Sequence, residues 1–359
     1  MTERILINGN EAIARGALHA GCKYFFGYPI TPQSDIPEFM SRELPKIGGV
    51  YVQSESESAS IYMVYGGALA GARVMTSTSS PGFSLMQEGI SYIAEMQVPC
   101  VIVNVMRMGP GIGTGGQGGQ TDYLQMVKGG GHGGYRCIIL APYSCQEAFD
   151  MMQLAFHLAD KYRIMSIVVS DFIIGQMTEI VEIRTLEFDN TLPEKNWALQ
   201  GKAVKGGTRN IFVTGSMGYG GVIPFHQHQL EKYKTIKEAE VRYQTYKADD
   251  ADLLLAAYGS TARIAKKTVD MCREEGLKVG LFRPITFWPF PTEILKEFAT
   301  KSGKVLVIED SQGQFVEDVE AAVQGQVPVS LLGLWARHNA GGGGIIHPER
   351  ILEEVKTLI

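Results

Sequence analysis

The feature that most constrains this chain is a series of short, almost uninterrupted apolar runs separated by helical patterns. Cys100 to Val105 is the clearest of them. A strand apolar at successive positions has both faces buried, which is the habit of a parallel sheet covered by helices on either side. The same unit recurs. Apolar or near-apolar strands are expected at Tyr24–Phe26, Val50–Ser54, Arg73–Ser77, Cys137–Leu140 and Ile164–Ser170. Helices are expected at Asn10–Ala20, Gln33–Leu44, about Ser56–Ala70, Ser84–Glu95 and Ser144–Lys161, with Ser79–Gly82 as a turn. Strand–helix alternation of this kind implies an α/β, doubly wound parallel-sheet domain over residues 1–179. Between 180 and 249 the periodicity weakens and charge rises, which reads as a linker or arm with some local structure. From 250 to 359 a second, smaller α/β unit follows. Its strands are expected at Leu253–Tyr258, Val279–Phe282, Lys304–Glu309 and Val327–Leu332, with Trp288-Pro289-Phe290-Pro291 as a rigid aromatic loop.

Composition narrows the function classes. A net charge of −5 argues against generic nucleic-acid binding. Nothing at Met1–Asn10 looks like a signal peptide, and no apolar run reaches the ~18 residues of a membrane span, so a cytoplasmic protein without a membrane anchor is expected. The five cysteines, Cys22, Cys100, Cys137, Cys145 and Cys272, form no C-x-x-C, so no iron–sulfur or zinc site is expected on this chain.

Three stretches carry candidate chemistry. The first is Tyr28-Pro29-Ile30-Thr31-Pro32 after the strand at 24–26. Its two prolines make a stiff loop, Thr31 is placed to cap the next helix, and Tyr28 and Thr31 can face a ligand at the strand's C-terminal end. The second is Glu55-Ser56-Glu57 at a strand-to-helix junction. Acidic residues favour a helix N-terminus through its dipole; alternatively, one of them sits at a dry interface and works as a proton donor or acceptor. The third is Arg107, which ends an apolar strand and can either form a salt bridge or fork to a ligand carboxylate. Gly111, Gly113 and Gly116 in the long Gly-rich segment 107–134 spell G-x-G-x-x-G, but no apolar helix is expected after them, so a dinucleotide site is not inferred. Such a loop better suits a cover over a ligand or a contact with a partner. His132 among the glycines reads as a surface histidine, and His226 and His228 lack a third ligand nearby. No G-D-G-type stretch for a magnesium diphosphate occurs.

Seven motifs, in order, resemble the alpha subunits of 2-oxoacid:ferredoxin oxidoreductases, most of all those labelled for branched-chain 2-oxoacids or 2-oxoglutarate. They are Y-P-I-T-P at 28–32, S-E-S-A-S at 56–60, T-S-T-S-S-P-G-F-S-L-M at 76–86, V-N-V-M-R at 103–107, A-Y-G-S-T-A-R at 257–263, R-P-I-T-F-W-P-F-P at 283–291 and E-D-S-Q-G-Q at 309–314. The resemblance spans nearly the whole chain and is weakest between 180 and 250. It implies a thiamine-pyrimidine-binding domain plus a transketolase C-terminal-like domain. It also implies a beta subunit that holds the diphosphate through Mg2+ and carries a [4Fe-4S] cluster, with gamma and ferredoxin-like delta subunits, coenzyme A and ferredoxin as further partners. The family glutamate that hydrogen-bonds N1′ of the aminopyrimidine corresponds to Glu57. The loop residues Tyr28 and Pro29 fall on the cofactor side. Thr31 corresponds to the threonine near the oxo-acid group, and Arg107 to the arginine that pairs with the substrate carboxylate. The implied reaction is oxidative decarboxylation of a 2-oxoacid with coenzyme A to acyl-CoA and CO2, the electrons passing to ferredoxin. The segment Gly113–Gly119 is richer in glycine than the family loop. A non-catalytic assembly subunit and a single-chain thiamine diphosphate decarboxylase are the alternatives.

Overall fold

A computed structural model describes residues 3–113, 115–188, 191–201, 210–211, 215–337 and 344–359. Its centre is a seven-stranded sheet. Across it run Thr286–Trp288, Ile138–Leu140, Met165–Asp171, Cys100–Met106, Val74–Thr78, Tyr24–Gly27 and Val50–Gln53. All neighbours are parallel except the first pair. Cys100–Met106 and Met165–Asp171 are buried at every position, as their apolar runs require. On one face the helices Gly9–His19 and Cys145–Tyr162 pack closely. Gly16 permits the approach, since a Cβ there would stand 2.3 Å from the Phe149 carbonyl oxygen. The strands Glu3–Asn8 and Thr178–Ile183 form a separate antiparallel pair.

A second sheet of five strands runs Val329–Leu332, Val305–Ile308, Leu253–Ala257, Val279–Pro284 and Tyr243–Tyr246, the last antiparallel. Residues 180–249 therefore contain an edge strand of this sheet, and they also hold the 18-residue helix Val222–Ala239. Of the aromatic stretch expected as a loop, residues 289–291 are irregular and only Trp288 joins a strand. Thr286–Trp288 leaves its own unit and pairs with Ile138–Leu140 of the first sheet. A three-residue segment beside proline has no period of its own, and its pairing comes from tertiary contact.

The two units meet across a dry aromatic seam. Tyr123, Tyr258, Phe287 and Phe315 are fully buried, with the Phe287 centroid 4.9 Å from Tyr123 and 4.7 Å from Tyr258. Buried Arg283 adds a two-pronged ion pair to Glu147 at 2.7 and 2.8 Å. No helix among the described residues is long and apolar enough to cross a membrane.

Candidate functional site

Four loops leave the C-terminal ends of adjacent parallel strands and converge, the position at which open α/β sheets bind ligands. They carry Thr31, Glu57, Ser79–Ser80 and Arg107 after Tyr24–Gly27, Val50–Gln53, Val74–Thr78 and Cys100–Met106. Arg107 ties the group together. Its Nη1 donates to the Thr31 carbonyl at 2.8 Å, its Nη2 to the Ile112 carbonyl at 3.4 Å, and its backbone N–H to Ser80 Oγ at 3.0 Å. Arg107 is buried, and desolvation pulls its guanidinium below its ordinary pKa, an effect opposed by the nearby carboxylates of Asp122 and Glu57. Thr31, Glu57 and Arg107, far apart in sequence, are thus brought together.

The two glutamates separate cleanly. Glu55 is exposed, while Glu57 is 5 % exposed and begins the helix Glu57–Leu69. Ser56 caps that helix by accepting from the Ala59 N–H at 3.2 Å. The Glu57 carboxylate therefore is not the cap, and no described residue donates a hydrogen bond to it. Its fit is close on one side. A Cβ on Gly82 would lie 2.6 Å from Glu57 Oε1 and 2.2 Å from Thr78 Oγ1. Only glycine leaves that carboxylate its place.

The loop at 28–32 is held differently from expectation. Thr31 does not cap a helix and Pro32 does not open one, because Asp35–Glu43 starts further on, with Ser34 at its N-cap. The loop is clamped through its backbone instead. Asn10 Nδ2 and Gln176 Nε2 both donate to the Pro32 carbonyl at 2.8 Å, and Gln33 Nε2 donates to the Tyr28 carbonyl at 3.2 Å. Asn10 is free for this because Asn8, not Asn10, caps the first helix, accepting from the Glu11 N–H at 2.8 Å. Thr31 and Pro29 are exposed and Tyr28 is half-buried.

Asp122 was not evident as a site residue. It is buried beneath Arg107, accepting from Ser80 Oγ at 2.5 Å and Asn104 Nδ2 at 3.0 Å. Burial raises its pKa, and the two hydrogen bonds and Arg107 oppose that rise. Its one sequence signal is being the lone acid within the Gly-rich segment 107–134. Ser80 was also misplaced, because Ser79–Gly82 does not form a turn. It opens the short helix Ser80–Leu85, and Gln87–Met96 follows as a separate helix.

The Gly-rich segment starts no helix at its G-x-G-x-x-G. It doubles back, Met108 N–H to the Gln117 carbonyl at 3.0 Å, and leans on the second unit through Gln120 N–H to the Asp310 carbonyl at 2.8 Å. A cleft of about 560 Å³ opens between this loop and residues Gln312, Gln314 and Leu334, with Ser80 and Asp122 on its wall. His132 is exposed, and His228 stacks on Tyr219 at 4.8 Å. Among the described residues no three His, Cys, Asp or Glu side chains come together as a metal site.

Residues 15–248 match the family model for pyruvate flavodoxin/ferredoxin oxidoreductases, thiamine diphosphate-binding, and residues 251–351 match the pyruvate:ferredoxin oxidoreductase core domain II. A ketoisovalerate oxidoreductase subunit VorB from Methanothermobacter marburgensis is 44 % identical over 98 % of this chain and 97 % of that protein. This chain belongs to the 2-oxoacid:ferredoxin oxidoreductase family. A second relative, the 2-oxoglutarate synthase subunit KorA of Methanocaldococcus jannaschii, is 37 % identical over 96 % of the chain and 97 % of its own length. The 2-oxoglutarate:ferredoxin oxidoreductase of Magnetococcus marinus, solved with 2-oxoglutarate, coenzyme A and succinyl-CoA, superposes with a TM-score of 0.84 at 27 % identity. The match covers 99 % of this chain and 65 % of that one. A split-gene transketolase shares the fold alone, with a TM-score of 0.60 at 13 % identity.

The residues of this family member fit thiamine diphosphate. Glu57 is a buried acceptor with no donor among the described residues. Thr78 Oγ1, Ser79 Oγ and Arg107 Nε are buried without partners, and Thr78 Oγ1 and Glu57 both close on Gly82. Buried polar groups left in this state are expensive unless a ligand satisfies them.

Proposed function

We propose that this chain is the alpha, pyrimidine-binding subunit of a thiamine diphosphate-dependent enzyme that oxidatively decarboxylates 2-oxoglutarate or a branched-chain 2-oxoacid. Coenzyme A takes the acyl group and ferredoxin the electrons. The observation that carries this reading is the donorless, buried Glu57 within electrostatic reach of Arg107 and the Thr31 loop. Thiamine diphosphate, when bound, supplies the carbanion chemistry of decarboxylation. Glu57 holds N1′ of its aminopyrimidine and exchanges a proton there, helped by the low-dielectric setting that burial provides. Arg107 receives the substrate carboxylate. Because that charge departs as CO2, the attraction is lost in the product, so binding energy is not wasted on holding it. Tyr28 and Pro29 wall the cofactor side, and the Thr31 hydroxyl serves the oxo-acid group, positioned by the backbone clamps of Asn10 and Gln176.

Two observations support a site shared with a beta subunit that carries the diphosphate, Mg2+ and a [4Fe-4S] cluster. The helix that Glu57 begins has no charged residue after it, yet Tyr62 on it is 42 % exposed, next to Tyr92 at 39 % and Leu85 at 57 %. A helix apolar all round needs cover on every side. The cysteines, in turn, suit a core and not a cluster. All five are buried, and desolvation pushes the thiols of Cys22, Cys137 and Cys145 up to about 12.

The test is turnover of the assembled enzyme with 2-oxoglutarate, pyruvate and 2-oxoisovalerate, for wild type and Glu57→Gln. Near-abolished turnover in an intact complex is expected. Wild-type rates would leave the chain as an assembly module. Tight binding of thiamine diphosphate by the chain alone would favour a single-chain decarboxylase.

A further inference from the structure

Arg107 has two tasks that conflict. It must attract a carboxylate, and it must not hold that carboxylate so well that its loss as CO2 becomes costly. Among the described residues its guanidinium hydrogen-bonds to the carbonyl oxygens of Thr31 and Ile112, so no carboxylate neutralises it by contact. Burial lowers its pKa, and of the two carboxylates that oppose this across space Asp122 outweighs Glu57. Glu57 is assigned to the cofactor. Asp122 has no such task.

Asp122 immediately precedes the short helix Tyr123–Val127, but its side chain does not cap it. Its two donors, Ser80 Oγ at 2.5 Å and Asn104 Nδ2 at 3.0 Å, meet the same oxygen, Oδ2. Ser80 Oγ in turn accepts from the Arg107 N–H at 3.0 Å, so one hydroxyl joins the carboxylate to the arginine's backbone. The two residues before Asp122 keep it in place. Thr121 Oγ1 donates to the Arg107 carbonyl at 3.2 Å and accepts from the Gly109 N–H at 2.9 Å. Gln120 is fully buried and uses both ends of its amide. Its Nε2 donates to Asp171 Oδ2 at 3.2 Å and to the Tyr258 carbonyl at 3.1 Å, and its Oε1 accepts from the Asp310 N–H at 3.0 Å. The second unit therefore helps to fix where this acidic group sits beneath Arg107.

We infer that Asp122 is a positioning residue of the reaction, a fixed counter-charge that acts through Arg107 to limit its hold on the substrate carboxylate. The inference rests on the reading of Arg107 as the residue that receives that carboxylate. When the C–C bond to the carboxylate breaks, the electron pair stays on the 2-carbon side and CO2 leaves without charge. A negative group near Arg107 raises the energy of the charged ground state and leaves the neutral product untouched, which lowers the barrier between them.

The experiment compares Asp122→Asn with wild type in the assembled enzyme. Asparagine can accept from Ser80 and Asn104 through its own oxygen, and Asp122 Oδ1 receives no hydrogen bond among the described residues, so the substitution removes chiefly the charge. Two quantities are read. One is kcat and KM with the best of the three 2-oxoacids. The other is the calorimetric dissociation constant of the corresponding 2-hydroxyacid, which carries the carboxylate and does not lose it. The 2-hydroxyacid is expected to bind about three- to tenfold more tightly, with KM lowered in step and kcat lowered about tenfold. Relief of ground-state destabilisation gives that combination, whereas a loosened site raises KM. Unchanged constants overturn the inference, as they would if Asp122 carried its own proton. Weaker binding with a raised KM overturns it too, and so does a complex that no longer assembles, which would make Asp122 part of the fold. Arg107→Ala separates this inference from the reading beneath it. A raised KM there beside an unchanged Asp122→Asn overturns the role of Asp122 alone, while an unchanged KM there removes the carboxylate role of Arg107 and both fall.

Discussion

Glu57 and Glu309 are both buried glutamates placed at helix N-termini, yet they sit in opposite circumstances. The Glu309 carboxylate accepts from Ser311 Oγ at 2.8 Å and from the backbone N–H groups of Gln314, Phe315 and Val316, so it closes the first turn of the helix Phe315–Val323. Its neighbours continue the pattern: Gln314 Nε2 donates to the Thr121 carbonyl at 2.7 Å, and Asp310 pairs with Arg337. These groups, Glu309, Asp310, Ser311 and Gln314, all find partners within the chain. Around Glu57 the helix N-cap is supplied by Ser56 and the carboxylate is left over. The difference separates a carboxylate that holds the fold from one kept for a ligand, and charge and burial alone would not have told them apart.

Exchanging the two roles gives the sharpest tests. Glu57→Gln in the assembled enzyme should lower turnover by about 10²–10⁴-fold with the melting temperature unchanged, measured by steady-state assay beside thermal unfolding. Arg107→Ala should lower kcat/KM for the 2-oxoacid by about 10²–10³-fold, chiefly through KM, as expected when one partner of a desolvated charge pair is removed. Gly82→Ala keeps every charge but crowds Glu57, and about a tenfold loss of turnover with the fold retained is expected. Glu309→Ala should do the reverse, costing about 2–3 kcal/mol in denaturant unfolding with turnover per folded complex unchanged. A Glu309 variant that is stable but inactive would erase the contrast.

The smallest effect concerns Lys232 and is read on the isolated chain. Its folded value of about 7 lies below the ordinary 10.5, so between those pH values the unfolded chain holds the proton and the folded chain does not. Stability contributed by this group therefore rises with pH across that window and is lost as pH falls to about 7. Arg163, His228 and Glu231 are its charged or titratable neighbours. Thermal midpoints between pH 7 and 9.5 should rise in wild type and flatten in Lys232→Met.

Much of this was legible from residues alone. The apolar runs at 100–105 and 164–170 identified the central strands because strands buried on both faces need no polar alternation. The selection of Glu57 over Glu55 needed the family resemblance, since two acids two residues apart look alike until the helix start is known. Asp122, Asn104 and Ser80 were missed because they meet only through tertiary structure, at separations that local pattern does not encode. Thr31 was given a cap role that its sequence neighbourhood suits and its surroundings do not use.

The strand Thr286–Trp288 carries a consequence for anyone dividing this protein. Ending the chain near residue 249 would strip the cover from Ile138–Leu140 and turn an interior strand into a bare edge, with unpaired N–H and C=O groups open to other molecules. It would also leave Glu147 without Arg283 and Tyr123 without Phe287. The first unit made alone is expected to aggregate, and a cut just after Trp288 would bare Leu253–Ala257 in turn by removing Val305–Ile308.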